Sequence, residues 1–188
     1  DRCLVQNPLI VAGPGVRSGV VSRTFAEMVD ILPTLLEYAN VKPAHTHFGK
    51  SLVPALENPD AVVRFCAFTE GGFGLEDTDL LERAGGEYAR KAALQHESPR
   101  LVGRAISVRD DRYTYVYRLY ESDELYDRAA DPQETTNLID LDDLAPLASR
   151  LKTQITDWLF ETADVIPWQT DPRFPQIPNG QHEVFDPE

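Results

Sequence analysis

The sequence predicts a mixed α/β fold: the end portion of a larger α/β sheet, then a small antiparallel β-sheet packed by a C-terminal amphipathic helix. Three stretches carry this expectation. Pro8-Leu-Ile-Val-Ala12 is continuously apolar, as suits a strand covered on both faces. Ala105-Ile-Ser-Val-Arg109 and Tyr113-Thr-Tyr-Val-Tyr117 alternate with period two about Asp110-Asp111-Arg112, which spells a hairpin. Leu144, Leu147, Leu151, Ile155, Trp158 and Leu159 recur at helical spacing.

Taken in order, the strand over Pro8–Ala12 is stopped by Gly13-Pro14-Gly15, which turns the chain. Val20, Val21 and Phe25 suggest a second extended segment. Asp30 to Ala39 reads as a helix, with Asp30 placed to cap its start, Pro33 in the first turn and Asn40 as a left-handed stop. A loop with His45 and His47 leads to Gly49-Lys-Ser-Leu-Val-Pro-Ala-Leu56. Arg64 to Thr69 is expected as a strand. The polar stretch from Gly71 to Arg100 is long for a connection inside a compact domain, which points to a functional or disordered insertion. A short helix is expected in it near Glu87 to Leu94. Leu125-Tyr126 makes a third pairing segment, and the final helix runs from about Leu144 to Thr162. Beyond Ala163, five prolines in a short tail suggest an extended strap.

Composition narrows the partners. Thirty-one acids against 18 bases give a net charge of −13, which argues against a general nucleic-acid surface. No apolar run approaches the ~18 residues of a membrane span, and no signal-peptide pattern is present. Cys3 and Cys66 make no disulfide framework and fit no metal-ligand spacing. The compartment stays open. The single Met is Met28, so the chain has no initiator, which raises the expectation of a piece of something longer.

The segment Glu124-Leu-Tyr-Asp127, Asp131-Pro132-x-Glu134, Asn137-Leu138 reads physically as a wound corner between a strand and a returning helix. Leu125 is expected to be buried, Asp127 to accept backbone N–H bonds, Asp131-Pro132 to fix a second bend, Glu134 and Asn137 to bond backbone groups, and Leu138 to anchor the far end. Nothing in that reading is catalytic.

The same spelling resembles the C-terminal signature of the sulfatase family, within the alkaline phosphatase-like superfamily. Pro8-Leu-Ile-Val-Ala-Gly-Pro-Gly15 is similar to the strand and turn these enzymes carry after their last metal ligands. Val29-Asp30-x-x-Pro33-Thr-Leu-Leu36 resembles the next helix, Gly49-x-Ser51-Leu52 the segment after it, and Arg104 to Tyr117 the small antiparallel sheet. These motifs stand in family order from Pro8 to Leu138. The resemblance implies a parent that hydrolyses sulfuric esters with a formylglycine nucleophile, made from Cys or Ser in C/S-x-P-x-R, and a divalent cation, usually calcium. Neither that motif nor the family's Asp-His-Gly or Asp-Asn-Gly is here, so no catalytic residue, metal ligand or cofactor is assigned to this segment.

What the resemblance leaves to this chain is completion of the fold and control of substrate access. Residues 1–60 are expected to be a remnant of the large α/β domain, 61–162 a small C-terminal domain, and 163–188 a Pro-rich tail. His45, His47 and Arg118 are the candidate substrate-rim residues. Against them stand plainer readings: solvated loop histidines, and an Arg118 paired with Glu121 or Asp123. The expected partners are the rest of the parent sulfatase and a small sulfate ester, with no nucleic acid and no membrane; homo-oligomers are left open. Two alternatives remain: a free-standing binding module with the same fold, and a phosphonate or phosphodiester hydrolase of the superfamily.

Overall fold

The structure, a computed structural model, describes residues 6–83 and 85–163. The Pro-rich tail and Cys3 therefore lie outside the described residues.

The fold is organised by a four-stranded antiparallel sheet, in spatial order β1 (Ala67–Gly71), β2 (Ala105–Arg109), β3 (Tyr113–Arg118), β4 (Glu124–Asp127). The hairpin forms as the alternation predicts. Val108 faces Tyr115 across the β2–β3 ladder, and Tyr115 faces Leu125 across β3–β4. Those three side chains have almost no exposed surface. One helix covers them, running Ala145–Thr162, here α4; its Leu151 and Ile155 complete the core, with Leu144 and Leu147 packed at the margin. Trp158 on the same stripe stacks on Phe68 of β1, ring centroids 4.9 Å apart. Leu159 extends past the sheet and is partly exposed.

Ahead of the sheet, a single 3-10 turn (Met28–Asp30) leads into α1 (Ile31–Tyr38). Asn40 takes φ 52, and the N–H groups of Asn40 and Val41 return to the carbonyls of Glu37 and Leu36, closing α1 as its sequence predicts. Asp30 does not cap α1. It lies inside the continuous turn with helical φ and ψ, and its carboxylate bonds back to the Glu27 N–H and outward to other segments. A short helix, α2 (Val53–Glu57), follows the loop.

The strand expected over Pro8–Ala12 does not form. A strand exists only through a neighbour that shares its hydrogen bonds, and β1 to β4 account for every strand of the sheet among the described residues. Ile10 is instead 90% exposed. Val20 to Phe25 is likewise without regular structure, with Val21 91% exposed. The strand expected at Arg64 begins at Ala67, because the Arg64 side chain is turned inward and the chain joins the ladder only after it.

The stretch between β1 and β2 is a closed excursion. At its neck Phe73 bridges Gly103, with the Phe73 N–H on Val102 O and the Arg104 N–H on Phe73 O. Gly72 is required there: its φ is +91°, and a Cβ would meet Gly103 O at 2.3 Å. The expected short helix is present as α3 (Ala89–Glu97), whose Ala92 packs inward and whose Gln95 accepts from the Glu82 N–H.

Candidate functional site

Two polar assemblies position the loops of this chain. In the first, Asp30 is fully buried and accepts four hydrogen bonds, from the Lys50 N–H (2.7 Å), the Glu27 N–H (2.9 Å), and Nε and Nη2 of Arg64 (2.8 and 2.5 Å). Glu27 pairs with Arg64 Nη1 at 3.0 Å and accepts the Phe68 N–H at 2.6 Å. Thr34 Oγ1 donates to Asp30 O and accepts the Leu52 N–H at 2.9 Å. Gly49 lies so close to Val29 that a Cβ would stand 1.9 Å from its carbonyl oxygen. The motifs Asp30-x-x-Pro33-Thr34 and Gly49-x-Ser51-Leu52 thus meet in space, with Arg64 at their junction with the sheet. Burial pushes the Asp30 carboxyl up, but Arg64 and the two backbone N–H groups outweigh it and hold it below its usual value. Sequence reading missed Arg64; its only signal was a lone charge within Val62-Val-Arg-Phe-Cys66.

The second assembly is the corner. Asn137 Oδ1 accepts the N–H groups of Leu125 (2.9 Å) and Ile139 (3.0 Å), its Nδ2 donates to Asp123 O, and the Leu138 N–H donates to Leu125 O at 2.8 Å. These bonds occupy the outer edge of β4, where another strand would otherwise add. Asp127 accepts the Ala129 N–H and pairs with Arg112 Nη2 at 2.6 Å, which holds its carboxyl low. Asp131 accepts the N–H groups of Gln133, Thr135 and Thr136, again lowering its carboxyl. Glu134 departs from expectation. At φ 56 its side chain turns under the sheet, accepting from Thr114 Oγ1 (2.6 Å) and pairing with Arg109 rather than with backbone groups. Burial raises its carboxyl, and Thr114 with Arg109 more than reverses that.

The rim residues are not brought together by any hydrogen bond or ion pair. His45 is exposed in the loop after α1. His47, two residues on, is half-buried, and its Nδ1 is enclosed without a hydrogen-bond partner. Arg118 ends β3 and is engaged by Glu124 (2.6 Å) and Glu121 (3.4 Å). Asp123, the other expected partner, instead accepts the Arg118 backbone N–H and the Tyr115 hydroxyl. Among the described residues no three His, Cys, Asp or Glu side chains cluster as a metal site would require. Cys66 is a poor nucleophile, since burial and Glu27 push its thiol up.

No protein-family model matches this chain. Its relatives are nonetheless consistent. It is 27% identical over 178 residues to a sulfatase of Escherichia coli (strain K12), YidJ, across 88% of this chain and 30% of that protein. It is 28% identical over 206 residues to the N-sulphoglucosamine sulphohydrolase of Homo sapiens, across 88% of this chain and 38% of that one. The phosphonate monoester hydrolase of Agrobacterium radiobacter superposes with a TM-score of 0.55 at 28% identity, over 73% of this chain and 25% of its own. The chain resembles the C-terminal part of sulfatases along most of its length. It corresponds to the C-terminal part of the alkaline phosphatase-like fold and spans about a third of the length of these curated relatives. In the corner and the Asp30 assembly the acids are held by cations or backbone N–H groups, which fixes the loops that carry them.

Proposed function

We propose that this chain is the fold-completing, access-shaping segment of a larger hydrolase that cleaves sulfate esters. One observation carries the proposal: nearly nine-tenths of the chain matches sulfatases, and covers only about a third of them. The exposed apolar strip supports it. Leu9, Ile10, Val11, Val21, Met28 and Leu35 are between 37% and 91% exposed, an apolar surface of the kind that a partner covers. On this proposal Pro8–Ala12 becomes a strand once the preceding part of the protein supplies a neighbour. Residues 1–60 then belong with the large domain, and 61–162 form the small one.

The parent's formylglycine and divalent cation would come from upstream. Among the described residues no three His, Cys, Asp or Glu side chains cluster as a cation site would need, so no step of the reaction is assigned to them. His45 would contribute to the substrate rim through its exposure; His47 would first have to uncover its enclosed ring nitrogen, and Arg118 to release Glu124 and Glu121. A phosphonate monoester hydrolase is the second reading, favoured by the 28% identity to the Agrobacterium enzyme.

Assay of the natural protein against an aryl sulfate and a phosphonate monoester decides between them, and faster turnover of the sulfate is expected. The isolated 188-residue chain should turn over neither at any calcium concentration; turnover that survives rigorous purification would place the nucleophile within it and overturn the assignment.

A further inference from the structure

Between the N-terminal stretch and the corner lies a hollow of about 430 Å³, lined by Gln6, Phe25, Arg109, Asp111 and Arg128 among others. The two guanidinium groups converge on one atom: Arg109 Nε and Arg128 Nη1 both donate to Thr114 Oγ1, at 3.2 and 2.9 Å. Their charges are not equally answered. Arg109 pairs with Glu134, whereas Arg128 spends its second arm on the neutral carbonyl of Asp110 and has no carboxylate within ion-pair distance among the described residues. A half-buried guanidinium without a counter-ion is costly. Burial and then the neighbouring Arg109 work against its protonated form, and the more distant charges of Glu134, Asp110 and Asp111 offset this only in part.

A guanidinium has five N–H donors. Arg109 uses two, toward Thr114 and Glu134, and Arg128 two, toward Thr114 and Asp110, so three remain on each. Planar forks of this kind match the oxygens of a tetrahedral anion. The carboxylates that oppose an anion here are Glu134, paired with Arg109, Asp110, paired with Arg150, and Asp111, which is exposed and forms no ion pair among the described residues. This chain has a net charge of −13, whose long-range field repels anions, so capture there would be by local contact.

We propose that this hollow binds a small tetrahedral oxyanion of the sulfate or phosphate type between Arg109 and Arg128. The test uses the natural protein, with its thermal midpoint followed against sodium sulfate at ionic strength held constant with chloride. Arg128→Gln should raise the half-saturating sulfate concentration about tenfold or more, the scale of one lost charge-assisted contact. Asp111→Asn, at an exposed position that does not disturb folding, should lower it severalfold. Methyl sulfate in place of inorganic sulfate separates a substrate-borne group from a free dianion, the tighter ligand naming the source. In crystals, selenate should give an anomalous peak between the two guanidiniums that Arg128→Gln lacks. Half-saturation that neither substitution moves, with no selenate in the hollow, overturns the proposal. So does a peak there only above the concentrations that saturate in solution, which would mark an adventitious ion only.

Discussion

Replacing Asp30 by Ala removes a carboxylate with no exposed surface and the four hydrogen bonds it accepts, two of them from Arg64. Breaking a buried pair from one side costs about 3–5 kcal/mol, because the remaining charge is left uncompensated. Glu27, 3.0 Å from Arg64 Nη1, still answers part of that charge, which places the expected loss near the lower end, about 3 kcal/mol. For a chain of this size that corresponds to roughly 6–12 °C in Tm. Asp30→Asn keeps the shape and one acceptor and should lose about half as much. Asp30→Ala with Arg64→Met should be more stable than Asp30→Ala alone, since an apolar replacement removes the stranded charge. The pH dependence has a definite sign. The folded carboxyl lies below its ordinary 3.8, so its contribution is fully present above about pH 4 and is lost as pH falls through the folded value. Urea unfolding followed by tryptophan fluorescence across that range measures both effects. A loss under about 1 kcal/mol for Asp30→Ala, or an acid limb unchanged in Asp30→Asn, would refute the electrostatic role assigned to the pair.

Other substitutions test the remaining supports. Gly49→Ala forces a methyl against the Val29 carbonyl, backbone on backbone, and should cost about 3 kcal/mol or more, read from the urea midpoint. Asn137→Ala strips the acceptor from Leu125 and Ile139 and should cost about 1–3 kcal/mol, with faster hydrogen exchange at the Leu125 amide; Asn137→Asp keeps the acceptor and should cost less. Leu151→Ala empties the centre of the α4–sheet contact and should cost about 2–5 kcal/mol, again by urea midpoint.

The sheet and its covering helix were legible because their signals are local. Alternation in Ile106-Ser-Val and Tyr113 to Tyr117, and the spacing of Leu151 and Ile155, each report which face a residue buries, and the structure buries those faces. The corner was legible for the same reason, since Asp127, Asp131 and Asn137 bond to groups within a few residues or across one strand. Glu134 escaped because its partners, Arg109 and Thr114, lie 25 and 20 residues away. Arg64 escaped likewise, reaching Asp30 across 34 residues. The strand expected at Pro8–Ala12 shows the converse limit. Its apolar run reports a capacity to be buried, and whether a strand forms depends on a neighbour that the run itself does not encode. His45, His47 and Arg118 offer chemistry alone, and the sequence carries no geometric signal that links them.

The most direct measurement is the intact mass of the natural gene product, detected in extracts of the source organism with an antibody against this segment. A species far above 21.1 kDa, carrying a C/S-x-P-x-R nucleophile upstream, is the result expected of a sulfatase segment. A species at 21.1 kDa would contradict the account and leave a free-standing binding module in its place.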